Sequence, residues 1–118
     1  MLSDGDRVFL AQQATTLVGR ELSDAERDIL FFSIENNVDP SATKGFDVDD
    51  GSGLFMVMGF LLRVWTAIST HRTNKQNKEH QKRIEAELAE LKKQFATLEE
   101  EKKQAVIDET LKRHPDAR

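Results

Sequence analysis

The sequence predicts an all-α protein in which a short helical headpiece is followed by a long helix forming a parallel coiled coil. Three observations carry this. Apolar residues recur at helical spacing through the N-terminal half, helix-capping signals bracket the segments, and the C-terminal third alternates apolar steps of three and four residues. Composition agrees, with 32% charged against 38% hydrophobic residues and only two prolines in 118 positions, the balance of a water-facing helical chain. That length suffices for one core and one stalk, not for two independent cores.

The first helix is expected from about Arg7 to Val18, where Val8, Phe9, Ala11, Ala14, Leu17 and Val18 form one apolar face. Gly19 stands where a glycine ends such a helix. Ser23 followed by Glu26 has the spacing of a capping box and predicts a second helix over 24–36. Ile29, Leu30, Phe31, Phe32 and Ile34 are too dense for a surface helix, so this segment needs partners on more than one side. Asn36, Asn37 and Pro40 stop it, because the residue before a proline is pushed out of the α region.

A polar loop over 41–53 leads to the most apolar stretch, a third helix over 54–70. On a helical wheel Gly59, Arg63, Thr66 and Thr70 make one polar stripe, opposite Val57, Met58, Leu61, Val64, Trp65 and Ile68. The expected headpiece, residues 1–70, draws its core from Phe9, Leu17, Ile29, Phe32, Val57, Leu61, Val64, Trp65 and Ile68. Two short helices cannot bury their own apolar surface, and the third is the available partner. The alternative is a membrane span over 53–70, with the coiled coil in the cytoplasm. Acids before it and bases after it suit that orientation, while Arg63 near its middle costs about 2.5–3.5 kcal/mol on insertion scales.

From Gln81 onward Ile84, Leu88, Leu91, Phe95, Leu98 and Ala105 follow a 3.5-residue period, with Leu88 and Phe95 at a positions and Ile84, Leu91, Leu98 and Ala105 at d. These six are the expected oligomerisation residues of a stalk over 71–118. In that register Glu87 and Lys92 pair across a parallel dimer, as do His80 and Glu85 when the imidazole is charged. Each pair is worth a few tenths of a kcal/mol. After Ala105 the pattern shifts to Val106, Ile107 and Leu111, and His114 with Pro115 ends it.

Charge is zoned. Residues 1–52 carry eleven acids against four bases, a net −7; residues 53–83 carry six bases against Glu79, a net +5; the remainder is −2. The basic collar, Arg72, Lys75, Lys78, Lys82 and Arg83, precedes the heptads much as a basic region precedes a zipper, but lacks that family's pattern. It projects around the helix without a flanking aromatic, so it is expected to give weak, sequence-indifferent contact with nucleic acid or an anionic membrane.

Other chemistry finds little footing. The absence of cysteine removes disulfides, thiolate metal sites and thiol nucleophiles, and makes the cytoplasm the expected compartment. His71, His80 and His114 lack ligand spacing. Asp47, Asp49, Asp50 and Gly51 approach a calcium loop, but the glycine falls one place early and Met58 stands where a bidentate Glu belongs. Nucleophile elbows, phosphate-cradling glycine loops and HExxH motifs are missing, so no enzyme, cofactor or metal is expected.

The order of a short helical head, the Asn37-Val38-Asp39-Pro40 break, the Leu54-Phe55-Met56-Val57-Met58 helix start and a following coil resembles small accessory proteins encoded on conjugative plasmids and other mobile elements. That resemblance implies an oligomeric adaptor in DNA transfer. The expectation is therefore a non-enzymatic, homo-oligomeric helical adaptor or scaffold, partnered by itself and by another protein. The alternatives are a single-pass protein of the inner membrane, or a nucleic-acid accessory factor using the collar.

Overall fold

A computed structural model describes residues 2–38, 54–71 and 78–114, and among them the chain is all-helical. The helices are α1 (Asp4–Val18), α2 (Asp24–Asn36), α3 (Leu54–His71), α4 (Lys78–Gln94) and α5 (Glu100–Arg113). They belong to two compact units, Met1–Leu62 and Arg63–Arg118, and the division falls inside α3.

In the first unit α1 begins three residues earlier than its periodicity suggests, because Ser3 caps it. The Ser3 hydroxyl accepts from the Asp6 N–H at 3.1 Å while the Asp6 carboxylate accepts from the Ser3 N–H. Gly19 closes it at φ 87°, its N–H on the Thr15 carbonyl. A second capping box, Ser23 with Glu26, opens α2, and Asn37 closes it in the left-handed region at φ 54°. The Val38 N–H then donates to the Ser33 carbonyl at 2.9 Å, so these orphan groups of the helix end are used.

Phe9, Leu10, Ala14, Leu17, Leu22, Leu30 and Ile34 are buried, as are Leu54, Val57, Met58, Phe60 and Leu61 from the first half of α3. Burying a side chain such as Leu30 completely contributes about 2 kcal/mol. Two expected core residues of this unit differ. Phe32 is 50% exposed, and Ile29 is half-buried. Neighbours in a dense apolar run point 100° apart on a helix, so α2 spends its inward face on Leu30, Ser33 and Ile34.

In the second unit Val64, Ala67 and Ile68 of α3 are buried and Trp65 is half-buried. The expected polar stripe is not continuous, since Gly59 is buried while Arg63 is exposed. Among the described residues no helix is long and apolar enough to cross a membrane.

The long C-terminal helix is likewise corrected. A turn over 95–98 separates α4 from α5, and α5 packs on α4. Charge favours a break here. Lys92 and Lys93 occupy the last turn of α4, and Glu100 and Glu101 the first turn of α5, each sign facing the helix-end dipole it stabilises.

Candidate functional site

Two regions of the molecule combine unusual electrostatics with apolar surface. The first lies on the α1–α2 pair. Arg7 on α1 donates from Nη2 to Glu35 Oε1 at 3.1 Å, and its guanidinium lies 5.7 Å from the centre of the Phe31 ring. Glu35 also accepts from the Leu2 N–H. That backbone bond, followed by the Arg7 bond, holds its carboxyl below the usual carboxylate range.

At the opposite end of the pair Arg20 grips Glu26 with both terminal nitrogens, at 3.0 and 2.8 Å. Glu26 simultaneously accepts from the Ser23 N–H at 2.8 Å. The Arg20 bonds, then the Ser23 N–H, lower its pKa from 4.5 to about 2, because each favours the charged carboxylate.

Between these anchors runs an open groove of about 650 Å³, lined along α1 by Arg7, Val8, Ala11, Gln12, Thr15 and Thr16, with Glu21, Leu22, Arg27 and Phe31 completing it. Val8, expected on the inward face, is 58% exposed here. The i, i+4, i+8 spacing of Arg7, Ala11 and Thr15 gives this helix a second usable face, which the reading of a single apolar face overlooked.

The second region is the α4–α5 connection. Lys103, in the first turn of α5, has a fully buried side chain. Its ammonium donates to the Lys92 carbonyl at 2.8 Å, the Phe95 carbonyl at 3.0 Å and Glu100 Oε1 at 2.7 Å. All three donors are used, two of them on carbonyls at the α4 end. The same bond keeps the Glu100 carboxyl below its ordinary range.

Around this latch Lys92 Nζ donates to Gln104 Oε1 at 2.8 Å, and Gln104 Nε2 donates to Asp108 at 2.9 Å. Arg63 donates to Gln94 at 3.4 Å and lies 5.9 Å over the Phe95 ring, a cation at the end of α4. Near the end of α5 the His114 ring meets Trp65 edge to face at 4.8 Å. Its Nδ1 carries a proton, since its 3.1 Å neighbour is the Thr110 carbonyl, which can only accept.

The expected oligomerisation residues divide accordingly. Ile84, Leu88 and Leu91 are buried within the chain itself; Phe95 and Leu98 are half-buried in the turn, and Ala105 is exposed. Lys92, expected to reach Glu87 of a second chain, is engaged by Gln104 of its own. The inward face of α5 is Lys103, Val106, Ile107 and Thr110, one position beyond the extrapolated heptad. Lys103 was hidden among charged neighbours; the available signal was the pair of lysines at 92–93 followed by the three glutamates at 99–101.

Of the collar, Lys82 and Arg83 are exposed on α4; Lys78 starts that helix, and Arg72 and Lys75 lie outside the described residues. So does the calcium-like segment 47–51. Among the described residues no three His, Asp or Glu side chains gather as metal ligands would. Compared with family models, curated proteins and solved structures, the chain finds no significant match in any of the three.

Proposed function

We propose that the protein is a non-enzymatic, homo-oligomeric helical adaptor, joining copies of itself through its C-terminal helices and offering its N-terminal pair to another protein. The observation that supports this best is the heptad run. Ile84, Leu88, Leu91, Phe95 and Leu98 keep one 3.5-residue period across a turn that contains neither glycine nor proline. A parallel coiled coil is the assembly that this period alone suggests.

The groove on α1–α2 supports the second half of the reading. Its apolar floor suits the apolar face of an amphipathic helix. Exposed Lys82 and Arg83 would add weak, salt-sensitive attraction to phosphate. If the resemblance to mobile-element accessory proteins holds, the setting is DNA transfer.

Sedimentation equilibrium on the full chain tests the assembly. Masses that are multiples of 13.4 kDa and rise with concentration are expected. A constant 13.4 kDa up to roughly 0.1 mM would remove the reading.

A further inference from the structure

We infer that the α4–α5 hairpin opens at 95–99 into one continuous helix, and that two copies of the chain exchange α5, each packing against the α4 of the other. The inference rests on the homo-oligomeric reading and gives that assembly a specific form.

The connector itself is built for two states. Phe95, Ala96, Thr97, Leu98 and Glu99 include no residue that forbids a helix. In the hairpin the Lys103 ammonium satisfies the Lys92 carbonyl and shares the Phe95 carbonyl with the Leu98 N–H, a turn-type bond. In a continuous helix the same two carbonyls would take the N–H groups of Ala96 and Glu99, four residues on. Lys103 therefore substitutes for helix donors that the sequence can also supply. Once released, it would stand four residues after Glu99 and three after Glu100, a spacing that keeps its charge paired on a helix surface.

The apolar pattern points the same way. In the hairpin Phe95 and Leu98 are half-buried, while Ile84, Leu88 and Leu91 are buried. Straightening the connector places all five on one stripe, with Phe95 and Leu98 next to the twofold axis, where the second copy covers them.

Exchange loses little. Apart from the Lys103 bonds to the Lys92 and Phe95 carbonyls, the contacts that α5 makes can be remade between chains, including Lys92 with Gln104 and Trp65 with His114. Monomer and dimer then differ mainly at the connector, so concentration sets the balance. Because α5 lies back on α4, the exchanged helices run in opposite directions. A parallel stalk would instead forfeit both the α4–α5 packing and the Trp65–His114 contact.

The chain has no cysteine, so Glu90→Cys with Glu109→Cys gives two unique spin-label sites on exposed positions. Labelled chain diluted into excess unlabelled protein reports the distance within one chain by pulsed electron paramagnetic resonance. Opening predicts about 28 Å between the two α-carbons in the dimer fraction, from nineteen residues at 1.5 Å each, against a shorter hairpin distance in the monomer. Ala96→Gly with Thr97→Gly should raise the dimer dissociation constant about tenfold or more, because glycine disfavours a continuous helix and not a turn. Lys103→Met should lower it, since it removes the latch of the closed form alone; if that variant fails to fold, the glycine pair decides. A dimer that keeps the hairpin distance, or is indifferent to the glycines, overturns the exchange and leaves the oligomer standing. A chain that stays monomeric overturns both.

Discussion

The α1–α2 pair and the α4–α5 pair are both two helices joined by a short connector, yet they are terminated by different physics. At 19–23 each function has its own specialist: Gly19 takes the left-handed residue, Ser23 accepts at the new N-terminus, and Glu26 returns the bond while holding Arg20. At 95–99 nothing is specialised. Glu99 caps α5 without a side-chain bond, and the carbonyls left over at the end of α4 are served by an ammonium from the following helix. The first connector is held by groups within or beside it. The second is held by groups outside the connector, Lys103 above all, and so is the one that a change of state can reach.

The most severe way to break this comparison is to delete the latch. Lys103→Ala leaves the Lys92 carbonyl without its donor, leaves the Phe95 carbonyl with the Leu98 N–H alone, and opens a cavity where the alkyl chain was; it should cost about 3 kcal/mol in urea unfolding. Loss of less than about 1 kcal/mol would mean that water serves those carbonyls equally well.

The corresponding element of the first pair is Glu26. Its folded pKa, lowered from 4.5 to about 2, means that its stabilisation is present above pH 4.5 and disappears as pH falls from there towards 2. Glu26→Gln keeps a neutral acceptor but loses the charge-assisted Arg20 bonds. It should cost about 1–2 kcal/mol at neutral pH and flatten acid unfolding over that interval. Equal acid sensitivity in variant and parent would place the titration elsewhere.

The mildest probe is Gly19→Ala. A β-carbon there would meet nothing within 4 Å, so only the φ of 87° penalises it. About 1 kcal/mol is expected, read as a lowered melting temperature. A neutral result would show that the backbone relaxes at this connector.

Much of this was legible beforehand. Ser23 and Glu26 announced α2, Gly19 the end of α1, and the apolar density of 54–68 a helix buried on most sides, because those signals act within one turn of the residues that carry them. Phe32 and Val8 were misplaced for a related reason. A helical wheel shows which residues share a face; which face turns inward depends on where the neighbouring helices lie.

The C-terminal third marks the limit most clearly. A 3.5-residue period specifies that Ile84, Leu88 and Leu91 will be buried against another helix, since hydrophobic burial rewards any apolar partner. It does not specify whose helix. The sequence by itself determined that the chain is helical, where α1 and α2 are capped, and that the 84–91 stripe is covered. Only the tertiary structure decided that the stripe is buried within the chain itself and that α5 folds back on α4, where Lys103 reaches carbonyls eight and eleven residues away, a contact that exists only once the two helices have met.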